Sequence, residues 1–389
     1  MIPVDDPRRP MYEEVLNRPA FIRDNLEALD DLVRSILPRD ACRRWTRVLL
    51  TGCGDSYYAG LASELAFETW TGLVVDVQPS LQGGRYAIPS MTPPAVVFSV
   101  SHSGRVSRTI ETVALARAHG MDTVAISGNP ESPITREAQW TLARQLQTGG
   151  QTPGVRSYTQ AQLLLMLAAI YIGECREVLD RNQAAALKKT LRDTADILEA
   201  SLDETNRLAR TLAEQWREIG QFLIIGGGPS YANALFSAAK LVEACGVNAI
   251  AQELEEWAHI QFFLKSPNLP TLLIAPPGRC FDRVLELVAI IQGLTGLCTV
   301  VGTHDERALK DRAAHYFGIR GRVDEAVSPI LTSMPGELLA CHLAYVGEER
   351  FFRSDGRGVG VGRGRITDSH IIRDVAEWSF GAGGASGEC

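Results

Sequence analysis

The chain has 389 residues, 45% hydrophobic, 22% charged and 7% aromatic, a globular composition with room for two domains of about 150–200 residues each. A formal net charge of −7 argues against a general nucleic-acid or membrane-surface binder, since both need a basic field. No run of about 18 apolar residues occurs, and the opening MIPVDDPRRPMYEE lacks a signal peptide's apolar core, so a cytoplasmic protein without a membrane span is expected.

In chain order, Met11 to Asn25 and Leu26 to Leu37 carry apolar residues at helical spacing, and Pro38 stops the second helix. Arg47 to Thr51 reads as a short apolar strand, succeeded at once by GCGDSYYAGLASELAFE, a glycine turn opening a helix. Further strands are predicted at Val74 to Val77, Val96 to Val100 and Val124 to Ser127. Ala161 to Glu174 and Gln183 to Gln215 read as helices that join two domains or pack on them. Residues 222–225 (FLII) repeat the first strand, GGGPSYANALFSAAKLVEA repeats its glycine turn and helix, and strands at Thr271 to Ala275 and Cys298 to Gly302 come next. A helix from Gly336 to Val346 leads into SDGRGVGVGRGRITDSHII, a stretch read as a mobile tail near which Arg350, Arg353, Arg357, Arg363 and Arg365 gather.

The repeat has a fixed register: Gly52, Gly54, Ser56 and Tyr57 match Gly226, Gly228, Ser230 and Tyr231, positions 52 and 226 being 174 apart like the rest. A lone G-x-G is a weak signal, but strand, G-x-G-x-S-Y and helix twice over mark a duplicated α/β unit. The expected fold is therefore two doubly wound parallel sheets, each a three-layer αβα sandwich. Boundaries are expected at 1–45 (N-terminal helices), 46–180 (first domain), 181–215 (connecting helix), 216–330 (second domain) and 331–389 (final helix and tail).

Two stretches suggest chemistry. Val96 to Val100 feeds SHSGRVSRT, a serine-rich loop opening a helix at Arg108 to Ala118. Helix N-termini offer unpaired N–H groups, so Ser101, Ser103, Ser107 and Thr109 are candidate phosphate ligands, with Gly52 and Ser56 opening a neighbouring helix. The competing reading is plain helix capping, though four hydroxyls exceed what one cap needs. In the second stretch, Lys240 and Glu243 are three apart on one helical face; after a break at Gly246 and Asn248, a second helix from Glu253 to Phe263 carries Glu255, Glu256 and His259. A solvated ion pair and a satisfied surface histidine are the ordinary alternatives. No G-x-x-x-x-G-K-[ST] run is present and the G-x-G lacks the dinucleotide fingerprint's third glycine, which argues against a nucleotide triphosphatase and a nicotinamide cofactor. Eight cysteines without CxxC or CxxH spacing read as reduced thiols, with no metal site.

Together these motifs resemble the sugar isomerase (SIS) domain family, and within it the isomerase half of the glutamine:fructose-6-phosphate aminotransferases. MYEEVLNRPAFIRDNLE at 11–27 resembles the family's entry helix, GCGDSYYAG its GCGTSYHAG, SVSHSG its ISQSG loop, GVRSYTQ its GVASTKAFTTQ, and ALFSAAKLVE its ALEGALKLKE. His259, sixteen residues beyond Glu243, falls where the family has the histidine of ELKHG. The resemblance implies that Ser101, His102 and Ser103 hold a phosphate, with Gly52, Gly54, Ser56 and Ser157 in the same pocket. It implies further that Lys240 and Glu243 belong to the isomerase site, Glu243 moving a proton between C1 and C2. His259 would then open the sugar ring from a partner subunit, making the protein a homodimer.

Departures from the pattern are equally specific. No glutaminase domain precedes the repeat, Phe236 stands where the family has a further glutamate, and Arg105 and Val106 replace the Glu-Thr after the serine loop. No lysine occurs after Lys310, whereas the family's C-terminal lysine forms an imine with fructose 6-phosphate. The expectation is an enzyme acting, without a cofactor, on an amino-sugar phosphate or fructosamine phosphate, as isomerase, deaminase or deglycase. An aminotransferase-type subunit using ammonia from elsewhere and a non-catalytic sugar-phosphate sensor are the alternatives.

Overall fold

The computed structural model describes residues 2–146, 152–353 and 369–377. Five short apolar segments build the first sheet: β1 (Arg47–Gly52), β2 (Val74–Pro79), β3 (Ala95–Val100), β4 (Asp122–Ser127) and β5 (Trp140–Ala143), in the order β2-β1-β3-β4-β5 with every pair parallel. Central β3 is buried along its whole length, as a strand covered by helices on both faces must be. The second sheet comprises β6 (Gln221–Gly226), β7 (Asn248–Glu253), β8 (Thr271–Ile274), β9 (Cys298–Thr303) and β10 (His315–Ile319), in the order β10-β9-β8-β6-β7, again all parallel. Matched strand for strand, this is the first sheet's order, so the duplication seen in the glycine turns extends through both sheets.

The repeated unit is held by backbone constraints that only glycine meets. A Cβ on Gly52 would stand 2.6 Å from the Ser56 carbonyl carbon, and one on Gly226 would stand 2.3 Å from the Ser230 oxygen, so strand and helix can approach only there. Gly54 and Gly228 share φ near +55°, the turn that aims the next helix, Asp55–Thr71 in one half and Pro229–Cys245 in the other. Both helices end on a left-handed glycine, Gly72 and Gly246.

These two equivalent helices pack against each other and bring the halves together. The 35-residue helix Arg181–Gln215, started by a reciprocal Asp180–Gln183 capping box, lies against the Arg18–Ile36 and Met334–Val346 helices and reaches β10. Arg18 and Glu337 form a buried ion pair between those flanking elements, with Arg18 also donating to Ser333 Oγ at 2.9 Å.

Three strands escape the sequence pattern. β5 and β10 are sheet edges, and β7 lies where a helix–turn–helix is expected. Asn248–Glu253 pairs with β6 along its whole length, and the helix after it is only Leu254–His259, ending in a 3-10 turn at Gln261–Phe263. β5 is only four residues long and β7, NAIAQE, is half polar, so a search for apolar runs passes over them. Most of the glycine- and arginine-rich stretch read as a tail, including Arg357, Arg363 and Arg365, lies outside the described residues.

Candidate functional site

Three helix N-termini converge at the carboxyl edge of the first sheet: Asp55–Thr71 after β1, Ser107–Ala118 after β3, and Arg156–Cys175. They enclose a cavity of about 640 Å³. In a 2-1-3-4-5 sheet the loops after strands 1 and 3 diverge to opposite faces, leaving the crevice where such folds bind ligands. Unpaired N–H groups at helix starts make it suited to an anion.

Of the residues expected from sequence, Gly54, Ser56, Ser101, His102, Ser103, Ser157 and Glu243 line this cavity. The Ser101 hydroxyl is buried and has no protein partner, so it is available to a ligand. Ser103 Oγ accepts the Arg105 backbone N–H at 3.3 Å. Gly104, at φ +64°, turns the loop so that its N–H meets the Ser101 carbonyl at 3.0 Å. Burial lowers the His102 pKa, with Glu14 pulling weakly the other way, so the ring is neutral at physiological pH. Its carbonyl accepts the Gly128 N–H.

Other expected ligands lie elsewhere. Gly52 forms the turn behind the wall. Ser107 Oγ accepts the Ser369 N–H at 2.8 Å, and Thr109, fully buried, exchanges a hydrogen bond with Ser80 Oγ at 3.0 Å. Their hydroxyls tie down the helix start and the returning C-terminal segment. Arg108 continues that tie through Ser369 and the His370 carbonyl, and Glu111 accepts the Ile372 N–H.

Lys240 and Glu243 come from the second half. The Pro229–Cys245 helix crosses the Asp55–Thr71 helix and delivers both to the start of the latter. Lys240 Nζ, 0% exposed, donates to Asp55 Oδ2 at 2.6 Å and to Glu243 Oε2. It lies 4.9 Å from the centroid of the Phe236 ring, which stacks on Tyr158 at 3.7 Å. Lys240 therefore stands behind the wall, holding two cavity-lining carboxylates. Burial works against its ammonium, but Asp55 and Glu243 outweigh that and raise its pKa, so the amine stays protonated and is no free nucleophile.

Asp55 is a site residue that motif spacing does not single out. Two carboxylates share one ammonium; burial raises the Asp55 pKa to about 6, with Lys240 opposing and Glu243 reinforcing the rise. Its other oxygen, Oδ1, is buried without a partner. Glu14 is a second such residue: it lines the cavity 3% exposed, accepts the Arg156 N–H at 3.0 Å through Oε2, and leaves Oε1 unpartnered. Asp55 is one of two departures, with Tyr58, from the resembled family's GCGTSYHAG, a signal that is readable in the sequence; Glu14 carries none beyond its place in the entry helix.

His259 does not reach this cavity in its own chain. It sits well exposed at the end of its short helix, 3.4 Å from Glu255, which also pairs with Arg283. Among the described residues no group of three or more His, Cys, Asp or Glu side chains is placed to hold a metal ion, and no helix is long and apolar enough to cross a membrane.

Two parallel five-stranded sheets of one topology, with a hydroxyl-lined crevice at the first, define a duplicated α/β protein. Residues 42–172 match the model of the SIS domain family. The match covers the first half, and the second half repeats that half's strand order. It is 25% identical over 334 residues to glutamine–fructose-6-phosphate aminotransferase (isomerizing) of Methanothermobacter thermautotrophicus, covering 86% of this chain and 54% of the relative. It thus spans about half the length of that relative. The C-terminal domain of glucosamine-fructose-6-phosphate aminotransferase from Francisella tularensis superposes with a TM-score of 0.75 at 18% identity, over 90% of this chain and 99% of that one. Glucosamine-6-phosphate deaminase from Thermotoga maritima gives 0.64 at 17%, over 86% and 95%. At these identities the solved structures speak for the fold.

Proposed function

We propose that this cavity binds a phosphorylated sugar and that Glu243 moves a proton between its C1 and C2, in an enzyme of the isomerase, deaminase or deglycase type. The observation that carries the reading is the arrival of Glu243, from the second half's helix, in the wall of an anion-binding crevice built by the first half. An aldose–ketose exchange needs a carboxylate within reach of a carbon acid and a separate grip on the rest of the molecule. Ser56, Ser101, Ser103, Ser157 and the three helix starts supply the grip. Lys240 positions Glu243 by holding Oε2, and its buried positive charge favours the negative charge that grows on the substrate as the proton leaves. In this reading His259 serves the cavity of a second copy. Its exposed neighbours Ile260, Phe263 and Leu264 form an apolar ledge consistent with such a contact, which sedimentation tests as a dimer.

Hexose, amino-sugar and fructosamine phosphates should raise the melting temperature, since a ligand at about 100 times its Kd adds about 2.7 kcal/mol. With the substrate so found, Glu243→Gln should lower turnover about 10²-fold or more while ligand affinity stays within about threefold. Equal loss of turnover and affinity would remove Glu243 from the role of base. The names of the relatives favour a second reading, transfer of ammonia to a ketose phosphate; it predicts amino-sugar phosphate only when ammonia or a partner protein is added.

A further inference from the structure

We infer that Asp55 is a specificity-determining residue whose free carboxylate oxygen receives the protonated amine of the substrate, so that the cavity selects amine-bearing sugar phosphates over the corresponding hydroxyl sugars. The inference rests on the phosphosugar reading above and narrows it.

Buried acceptors without donors are costly, and native structures carry few of them. This cavity has two on carboxylates, Asp55 Oδ1 and Glu14 Oε1, and the second belongs to a residue only 3% exposed. They flank one short turn. A Cβ on Gly154 would lie 3.1 Å from Asp55 Oδ2, and Arg156, two residues on, donates its N–H to Glu14. Neither oxygen can turn to find a partner inside the protein, because the opposite oxygen of each is fixed, Asp55 on Lys240 and Glu14 on Arg156. A donor for either oxygen has to enter from the cavity.

Charge decides which donors. Asp55, Glu14 and Glu243 bring three carboxyls to the wall, and the single charge of Lys240 answers only one of them. Arg105, the cationic side chain in the lining, sits on the exposed turn after the serine loop. A sugar hydroxyl would fill the hydrogen-bond vacancy but leave the charge. An ammonium fills both, adding an opposite charge to a hydrogen bond that the ionised acceptor already strengthens. The crevice therefore offers hydroxyls and helix N-termini that suit a phosphate, together with more carboxylates than cations, which suit an ammonium. That pattern fits a ligand carrying an anion and a cation on one short carbon chain.

The test is titration calorimetry at pH 7.5 with two matched pairs, glucosamine 6-phosphate against glucose 6-phosphate and fructosamine 6-phosphate against fructose 6-phosphate. The wild-type protein should bind the amine member of at least one pair about tenfold or more tightly, and Asp55→Asn should reduce that ratio to about one. Equal affinities in both pairs would overturn the inference while leaving the phosphosugar reading standing, as would a preference that survives Asp55→Asn. Binding of none of the four would remove the reading and the inference together. Should the variant fail to fold, the wild-type ratio decides. Since the Asp55 carboxyl protonates near pH 6, the preference should shrink severalfold at pH 5, and a ratio that holds there overturns the assignment.

Discussion

The two halves share one topology, yet among the described residues the large hydroxyl-lined crevice lies at the first half's sheet edge. In the first half the loop after β3 runs Ser101, His102, Ser103, Gly104 and faces the cavity with an unpartnered hydroxyl. In the second half the loop after β8 runs Ala275, Pro276, Pro277, Gly278, Arg279. There Glu325 folds in from the chain beyond β10, and its Oε1 accepts the Arg279 N–H at 3.0 Å. A Cβ on Gly278 would come within 2.2 Å of that oxygen. The protein's own carboxylate thus occupies the place that an anion would take. The helices differ in the same sense: Lys240 and Glu243 have Ala66 and Thr69 as their counterparts 174 residues earlier, so these two positions send neither a cation nor a carboxylate from the first half to the second. Duplication supplied two frames, and side-chain divergence made one the site and the other its support.

The comparison breaks first at Lys240. If it holds the two carboxylates together, Lys240→Met leaves two buried acids without their cation and should cost about 3–5 kcal/mol in denaturant unfolding. A loss under about 1 kcal/mol would mean that the cluster is solvated and the halves are joined by packing alone. Asp55 gives the next largest effect. Its folded pKa, about 6, is above its ordinary 3.8, so the stabilisation it gives when protonated is present below pH 3.8 and lost as pH rises through 6. Asp55→Asn should therefore be more stable than wild type at pH 7.5 by on the order of 2 kcal/mol, with the gap closing towards pH 4. Pro229, its counterpart in the second half, has no such pH dependence to lose. Ser101→Ala should weaken phosphosugar binding about tenfold at no cost in stability, because the hydroxyl it removes has no partner in the folded protein. Glu325→Ala, the smallest effect, should cost about 1 kcal/mol through the lost Arg279 contact and leave phosphosugar affinity as it was. Weakened phosphosugar binding in that variant would show that the second half also takes ligand.

Much of this is legible in one dimension because it depends on local constraints. The glycines at 52, 54, 226 and 228 are required by close approach and by positive φ, which no other residue satisfies at low cost, so the repeat can be seen without coordinates. The serine loop and the Lys240–Glu243 spacing are visible for the same reason. Strand β7 is not, since it takes its hydrogen bonds from β6 and its own composition shows little of that. Ser107 and Thr109 look like ligands in the sequence because spacing cannot say which way a hydroxyl turns.

The sequence by itself determined the duplicated α/β frame, the strand-to-helix turns and the residue types available for anion binding, because these depend on propensity, steric exclusion and period within a few residues. Only the tertiary structure decided which half keeps its crevice open, that Lys240 is buried behind the wall, and that Asp55 shares it with Glu243. Those outcomes depend on two helices crossing from opposite halves, and on the low dielectric their contact creates around charges 185 positions apart in the chain.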